Sequence, residues 1–167
     1  LPVVGHVNAK LFVSSSANDT DFVVTVTDLS PSRNKSMLVR YGNVRMRWRN
    51  SEVEQAPSMI AGHVYEIDVD LLQTAYIFPK GHSVRVTIAS SAYPFYDANA
   101  NTGDPVNISL GKFDKKEQRP KVAVMAKNTI HIGSKHPSAI SLPVVRMQDI
   151  PRNDHFSPTF PPLSPLR

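Results

Sequence analysis

Apolar and polar residues alternate along most of this chain. In VNAKLFVSS, Val7, Ala9, Leu11 and Val13 point one way and their polar neighbours the other. A period of two marks a strand with one buried face. FVVTVTDL sets Phe22, Val24 and Val26 against Val23, Thr25, Thr27 and Leu29, and NVRMRWR sets Val44, Met46 and Trp48 inward against Arg45, Arg47 and Arg49. HVYEIDVDL sends Tyr65, Ile67, Val69 and Leu71 inward and Glu66, Asp68 and Asp70 outward. HSVRVTIASS places Val84, Val86 and Ile88 on one face, while KVAVMA and AISLPVV read as two more short strands. No window longer than a turn or two keeps helical spacing. SPSRNKS (30–36) is a turn cluster, and SEVEQAPSMIAG (51–62) reads as a loop with at most one helical turn.

Seven or eight short strands separated by turn signals predict an all-β sandwich or jelly roll spanning residues 1–150. From Pro151 the composition changes: PRNDHFSPTFPPLSPLR carries five prolines in 17 residues. Such a stretch is expected to be an extended, proline-rich tail, 151–167. Its end, Pro162, Pro165 and Arg167, fits the P-x-x-P-x-basic pattern read by SH3 domains.

Composition narrows the picture further. A chain of 167 residues suits one domain with a tail. There is no cysteine, which excludes disulfides and thiolate metal sites. No apolar run approaches the roughly 18 residues of a membrane span, so no membrane partner is expected. LPVVGHV lacks a charged leader and apolar core, and it begins with Leu rather than Met. The expectation is a fragment or processed product without a visible signal peptide; a cytoplasmic location fits best, with localisation otherwise open. The net charge of +5 permits acidic partners without requiring them.

Candidate chemistry is sparse. The Arg45/Arg47/Arg49 ladder is expected to face the Glu66/Asp68/Asp70 ladder across one sheet, as cross-strand ion pairs. No outward aromatic residue flanks it to stack bases, so no nucleic acid is expected. Asp19 and Asp21, around Thr20, read as turn carboxylates in preference to a metal site or acid dyad. In YPFYDANANTG (93–103), Asp97, Asn99 and Asn101 alternate like calcium ligands. Counted from Asp97, however, position six is Thr102 and position twelve Ile108, so the EF-hand pattern fails at its diagnostic glycine and glutamate. The six histidines do not cluster at ligand spacing, and neither a G-x-S-x-G elbow nor a phosphate loop occurs. Three glycosylation sequons start at Asn18, Asn34 and Asn107 and read as chance matches. Catalytic residues, metal and cofactor are all expected to be absent. A serine and histidine in hydrogen-bonding contact beside an acid would overturn that expectation.

Five stretches, in order, resemble the C-terminal domain of the X-Pro dipeptidyl-peptidase and cocaine-esterase family of serine hydrolases. They are GHVNAKLFVSSSANDTDFVVTVTDLSP (5–31), VRMRWR (44–49), GHVYEIDVDL (62–71), FPKGHSVRVTIASSAYPFYDANANTG (78–103) and NTIHIGSKHPSAISLPVV (128–145). Asp19-Thr20-Asp21-Phe22, Gly81-His82 and the Pro94–Gly103 loop carry most of the likeness. The resemblance implies a jelly-roll β-sandwich of the galactose-binding-like kind, following an α/β-hydrolase domain that holds the Ser, Asp and His of the triad. It implies docking on that catalytic domain of the same parent protein and a part in walling its cleft. Departures include Phe95-Tyr96, where a basic and then an aromatic residue is usual, and the 30–36 turn, which lacks Pro-Asp-Gly. Under this reading Tyr93, Phe95, Tyr96, Asp97, Asn99 and Asn101 are the docking or cleft-lining candidates. A free-standing carbohydrate-binding or protein-interaction module is the alternative, and homo-oligomer formation stays open.

Overall fold

The first strand is the spine of one sheet. In the computed structural model, which describes residues 1–31, 35–103, 113–114, 119–120 and 123–150, β1 runs over Pro2–Ser15. Its long alternation lets it pair on both edges. Along one edge it meets β4 (Tyr65–Ile77) antiparallel, from Pro2↔Ile77 to Val13↔Tyr65. Along the other it meets β10 (Ala139–Ser141) through Asn8–Lys10 and β8 (Asn128–Gly133) through Phe12–Ser15, with β9 (His136–Pro137) beyond β8. The second sheet has the order β3 (Lys35–Arg45), β2 (Asp21–Ser30), β5 (Ser83–Ala89). A two-residue ladder joins β6 (Phe113–Asp114) to β7 (Arg119–Pro120).

The core lies between the two sheets. Val7, Leu11, Val13, Ile67, Val69 and Leu71 enter it from the β1 sheet, and Phe22, Val24 and Val26 from the β2 sheet. Met46, Met59 and Phe78 close its ends. Each is 4% exposed or less, and full burial of such a side chain contributes roughly 1.5–3 kcal/mol. The expected antiparallel β-sandwich is therefore the fold found. The tail, 151–167, lies outside the described residues.

The two sheets touch along one side. A Cβ at Gly42 of β3 would stand 2.0 Å from the Asp70 carbonyl oxygen of β4, so only glycine fits this approach. Beside it, Arg40 Nε donates to the Gln73 carbonyl oxygen at 2.6 Å. A bulge in β4 assists: Leu71 and Leu72 together oppose Val7. Leu72 takes φ of 64°, and its N–H donates to Asp70 Oδ1 at 2.6 Å.

Two expectations fail locally. The alternation through 44–49 stops at Arg45, because residues Met46–Trp48 tighten into a 3-10 turn. Met46 and Arg47 are buried there and Trp48 is only half-buried. Of KVAVMA, residues 123–126 form no strand, and 121–122 lie outside the described residues. AISLPVV behaves as expected, giving β10 and a bridge between Val3 and Val144.

Candidate functional site

The turn between β1 and β2 delivers two carboxylates to one end of the sandwich. Asp19 and Asp21 flank Thr20, whose carbonyl accepts the Met46 N–H at 2.9 Å. That bond pins the 3-10 turn beside them and so brings both arginines within reach. Arg45 Nε and Nη2 donate to the two oxygens of Asp21, each at 2.9 Å. Arg47 donates twice to Asp19, from its backbone N–H at 3.0 Å and from Nε at 2.7 Å. The hydrogen bond to Asp21 holds the Arg45 guanidinium above its ordinary range, against the opposing effect of burial. Arg49 instead lies over the Tyr65 ring, 4.8 Å from its centre.

This arrangement corrects the ladder expectation. The arginines serve Asp21 and Asp19, because β3 pairs with β2 and the strand ends at Arg45. The opposite ladder finds other partners: Lys10 Nζ lies 2.6 Å from Glu66, and His6 Nε2 lies 2.9 Å from Asp70.

The 93–103 loop is fastened to the same cluster. Asn99 Nδ2 donates to Asp19 Oδ2 at 3.0 Å and to Asp21 Oδ1 at 2.7 Å, bridging both carboxylates. Its Oδ1 accepts the Asn101 N–H at 2.9 Å, and Asn101 takes φ of 59°. Asn101 Nδ2 then reaches the Val124 carbonyl at 2.9 Å. Arg45 Nη2 also donates to the Asp97 carbonyl at 2.7 Å, while the Asp97 side chain is exposed. At the other end of the loop, Phe95 and Tyr96 pack on Tyr41 with ring centres 5.6 and 5.9 Å apart. Burial, with Tyr41 nearby, pushes the Tyr96 phenol up. Tyr93 and Phe95 remain 41% and 69% exposed.

The structure thus brings together all six loop residues singled out from the sequence, in two groups. Asn99, Asn101 and the Asp97 backbone are hydrogen-bonded anchors; Tyr93 and Phe95 are exposed, and Tyr96 is half-buried against Tyr41. Two arginines balance two aspartates, and Asn99 adds its donors to both carboxylates, so the cluster is built as a clamp. Among the described residues no group of three or more His, Cys, Asp or Glu side chains is placed to hold a metal ion.

Two further polar nodes were not anticipated. At the opposite end of β2, buried Asp28 accepts the Tyr76 hydroxyl at 2.7 Å and meets His82 Nδ1 at 2.8 Å. An aspartate at an inward position of an apolar strand was the available signal. On the outer face of the β1 sheet, Ser14 Oγ lies 2.9 Å from His131 Nε2. The His131 ring packs edge-on to His136, 5.6 Å away, and no carboxylate among the described residues is in hydrogen-bonding contact with it. A triad needs an acid to orient the imidazole. Ser14 and His131 therefore form a tie between β1 and β8.

Comparison with known proteins agrees with this architecture. Residues 1–141 match the model of the X-Pro dipeptidyl-peptidase C-terminal non-catalytic domain. A cocaine esterase from Rhodococcus sp. (strain MB1 Bresler) is 41% identical over 145 residues, covering 86% of this chain and 23% of that protein. The structure of an aminopeptidase from the marine sediment archaeon Thaumarchaeota archaeon superposes with a TM-score of 0.72 at 26% identity, over 87% of this chain and 24% of that one. An alpha-amino acid ester hydrolase gives 0.70 at 25% identity, over 87% and 24%. This chain thus spans about a quarter of the length of these relatives.

Proposed function

The chain belongs to the X-Pro dipeptidyl-peptidase C-terminal non-catalytic domain family, and we propose that it docks on an α/β-hydrolase catalytic domain of a serine esterase or X-Pro dipeptidyl-peptidase and helps shape its substrate cleft. The observation that carries this reading is the 93–103 loop. Asn99 locks it to Asp19 and Asp21, while Phe95 near its start stays 69% exposed. A loop held this firmly that presents aromatic side chains is preorganised for contact with another surface. In such a parent a serine would attack the carbonyl, with histidine as base and an oxyanion hole as stabiliser, all supplied from outside this chain.

The test has two arms. This chain alone, assayed with nitrophenyl esters and an X-Pro nitroanilide, is expected to give no turnover. A chimera in which it replaces the matching quarter of the Rhodococcus cocaine esterase is expected to hydrolyse esters, with KM altered by Phe95→Ala or Tyr96→Ala. Turnover by the chain alone, or a folded chimera without esterase activity, would overturn the reading.

A further inference from the structure

We infer that the catalytic domain seats on the outer face of the β3–β2–β5 sheet, around Leu38 and Tyr41, and not on the outer face of the β1 sheet. This deepens the docking reading above and rests on it.

Strand register defines the face. Phe22, Val24 and Val26 point into the core, so Val23, Thr25 and Thr27 point to the other side, where Val23 is only 1% exposed and already covered by the chain itself. Across β2 the outward rows are Asn43–Val23–Ala89, Tyr41–Thr25–Thr87 and Leu38–Thr27–Arg85. Arg85 is the one charged side chain in those three rows. Leu38 and Tyr41 are 46% and 38% exposed, and Phe95 stacks on Tyr41 to extend the apolar strip. Interface centres are depleted in charge and enriched in aromatic residues, which is the character of this face.

The opposite outer face is built differently. Lys10–Glu66 is an exposed ion pair, His6 Nε2 contacts the exposed Asp70 carboxylate, and Asp68 is exposed between them. Docking there would strip water from several charges, which is unfavourable without matched partners. The two faces of one sandwich thus differ in the direction that separates a covered face from a wet one.

Shape points the same way. A groove of ≈ 650 Å³ lies where β3 meets the β4 bulge, beside the β3–β2–β5 face; Leu38, Tyr41, Leu72 and Tyr96 line it together with the charged Arg40, Glu52 and Asp70. It joins the outward rows to the clamped loop, giving one continuous surface. The occupant follows from the relatives: each carries this unit as about a quarter of its chain, with about three quarters beyond the match. The covering surface is therefore assigned to that remainder, and a second copy of this chain becomes an outcome of the test.

Hydroxyl-radical footprinting tests the assignment without any substitution. It compares this chain alone, at several concentrations, with the cocaine-esterase chimera. Modification of Leu38, Tyr41 and Phe95 is expected to fall several-fold in the chimera, while that of His6 and His136 stays unchanged. Protection of His6 and His136 instead would overturn the face and leave the docking reading standing. No protection on either face of an active chimera would overturn both. Protection of Tyr41 in the isolated chain that grows with concentration would give the face to a second copy and overturn the assignment.

Discussion

The Arg47 guanidinium stands 2.7 Å from Asp19, with the two side chains only 9% and 2% exposed. Coulombic gain and desolvation nearly cancel in such a pair, but removing one partner strands the other charge. Asp19→Ala is expected to destabilise the fold by about 3–5 kcal/mol, and Arg47→Ala by a similar amount. The double variant should lose less than the sum, because each single change already breaks the pair. Urea unfolding of the four proteins measures this; strictly additive losses would show that the pair is not coupled.

Asn99 donates to both Asp19 and Asp21, which makes it the latch of the loop. Asn99→Ala is expected to cost about 1.5–3 kcal/mol, the range for hydrogen bonds to charged groups. It should also speed hydrogen exchange at the Asn101 amide, which bonds to Asn99 Oδ1. Asn99→Asp should be worse at neutral pH, since it sets a third carboxylate against two others, and should recover as pH falls. Equal stability of the two variants at pH 7 would remove the clamp from the account.

Much of the fold was legible because burial imposes the period. Val7 to Val13 and Tyr65 to Leu71 follow the alternation strictly, since both strands have one dry and one wet face. The arginine run was misread because alternation was carried past the end of β3. The turn at Met46–Trp48 is fixed by the Thr20 carbonyl and the two aspartates, a tertiary influence that local pattern does not encode. The sequence marks the six loop residues only as one group. Their division into anchors and presented surface was invisible, because Asn99 acts through carboxylates 80 and 78 residues away in sequence.

Gly42 explains how β3 comes against β4, and its substitution should be felt. The added Cβ of Gly42→Ala would meet the Asp70 carbonyl oxygen at 2.0 Å and its carbon at 2.8 Å, both backbone atoms with little room to yield. Overpacking of this kind typically costs about 1–3 kcal/mol, and here the strands must part. The expected result is a lower unfolding midpoint, with faster exchange confined to β3 and the Asp70–Leu72 bulge. An unchanged midpoint would mean that the two edges are not in tight contact.

The Asp28–Tyr76–His82 node predicts how stability varies with pH at both extremes. Burial alone would raise the Asp28 carboxyl, but the hydrogen bonds from Tyr76 and His82 outweigh it and hold the group below its ordinary value of 3.8. A depressed folded-state value means stability that is present above the unfolded value and lost as pH falls through the folded one. Tyr76 behaves oppositely: its hydrogen bond to Asp28, then burial, raises the phenol above 10.0, so its contribution is present below that value and lost as pH rises through the folded one. Asp28→Asn should therefore lower the thermal midpoint at neutral pH and flatten the acid limb below about pH 4. Tyr76→Phe should flatten the alkaline limb above about pH 10. Thermal midpoints of the three proteins from acid to alkali decide the matter; parallel curves for Asp28→Asn and the parent chain on the acid side would show that this carboxylate carries no linked stability.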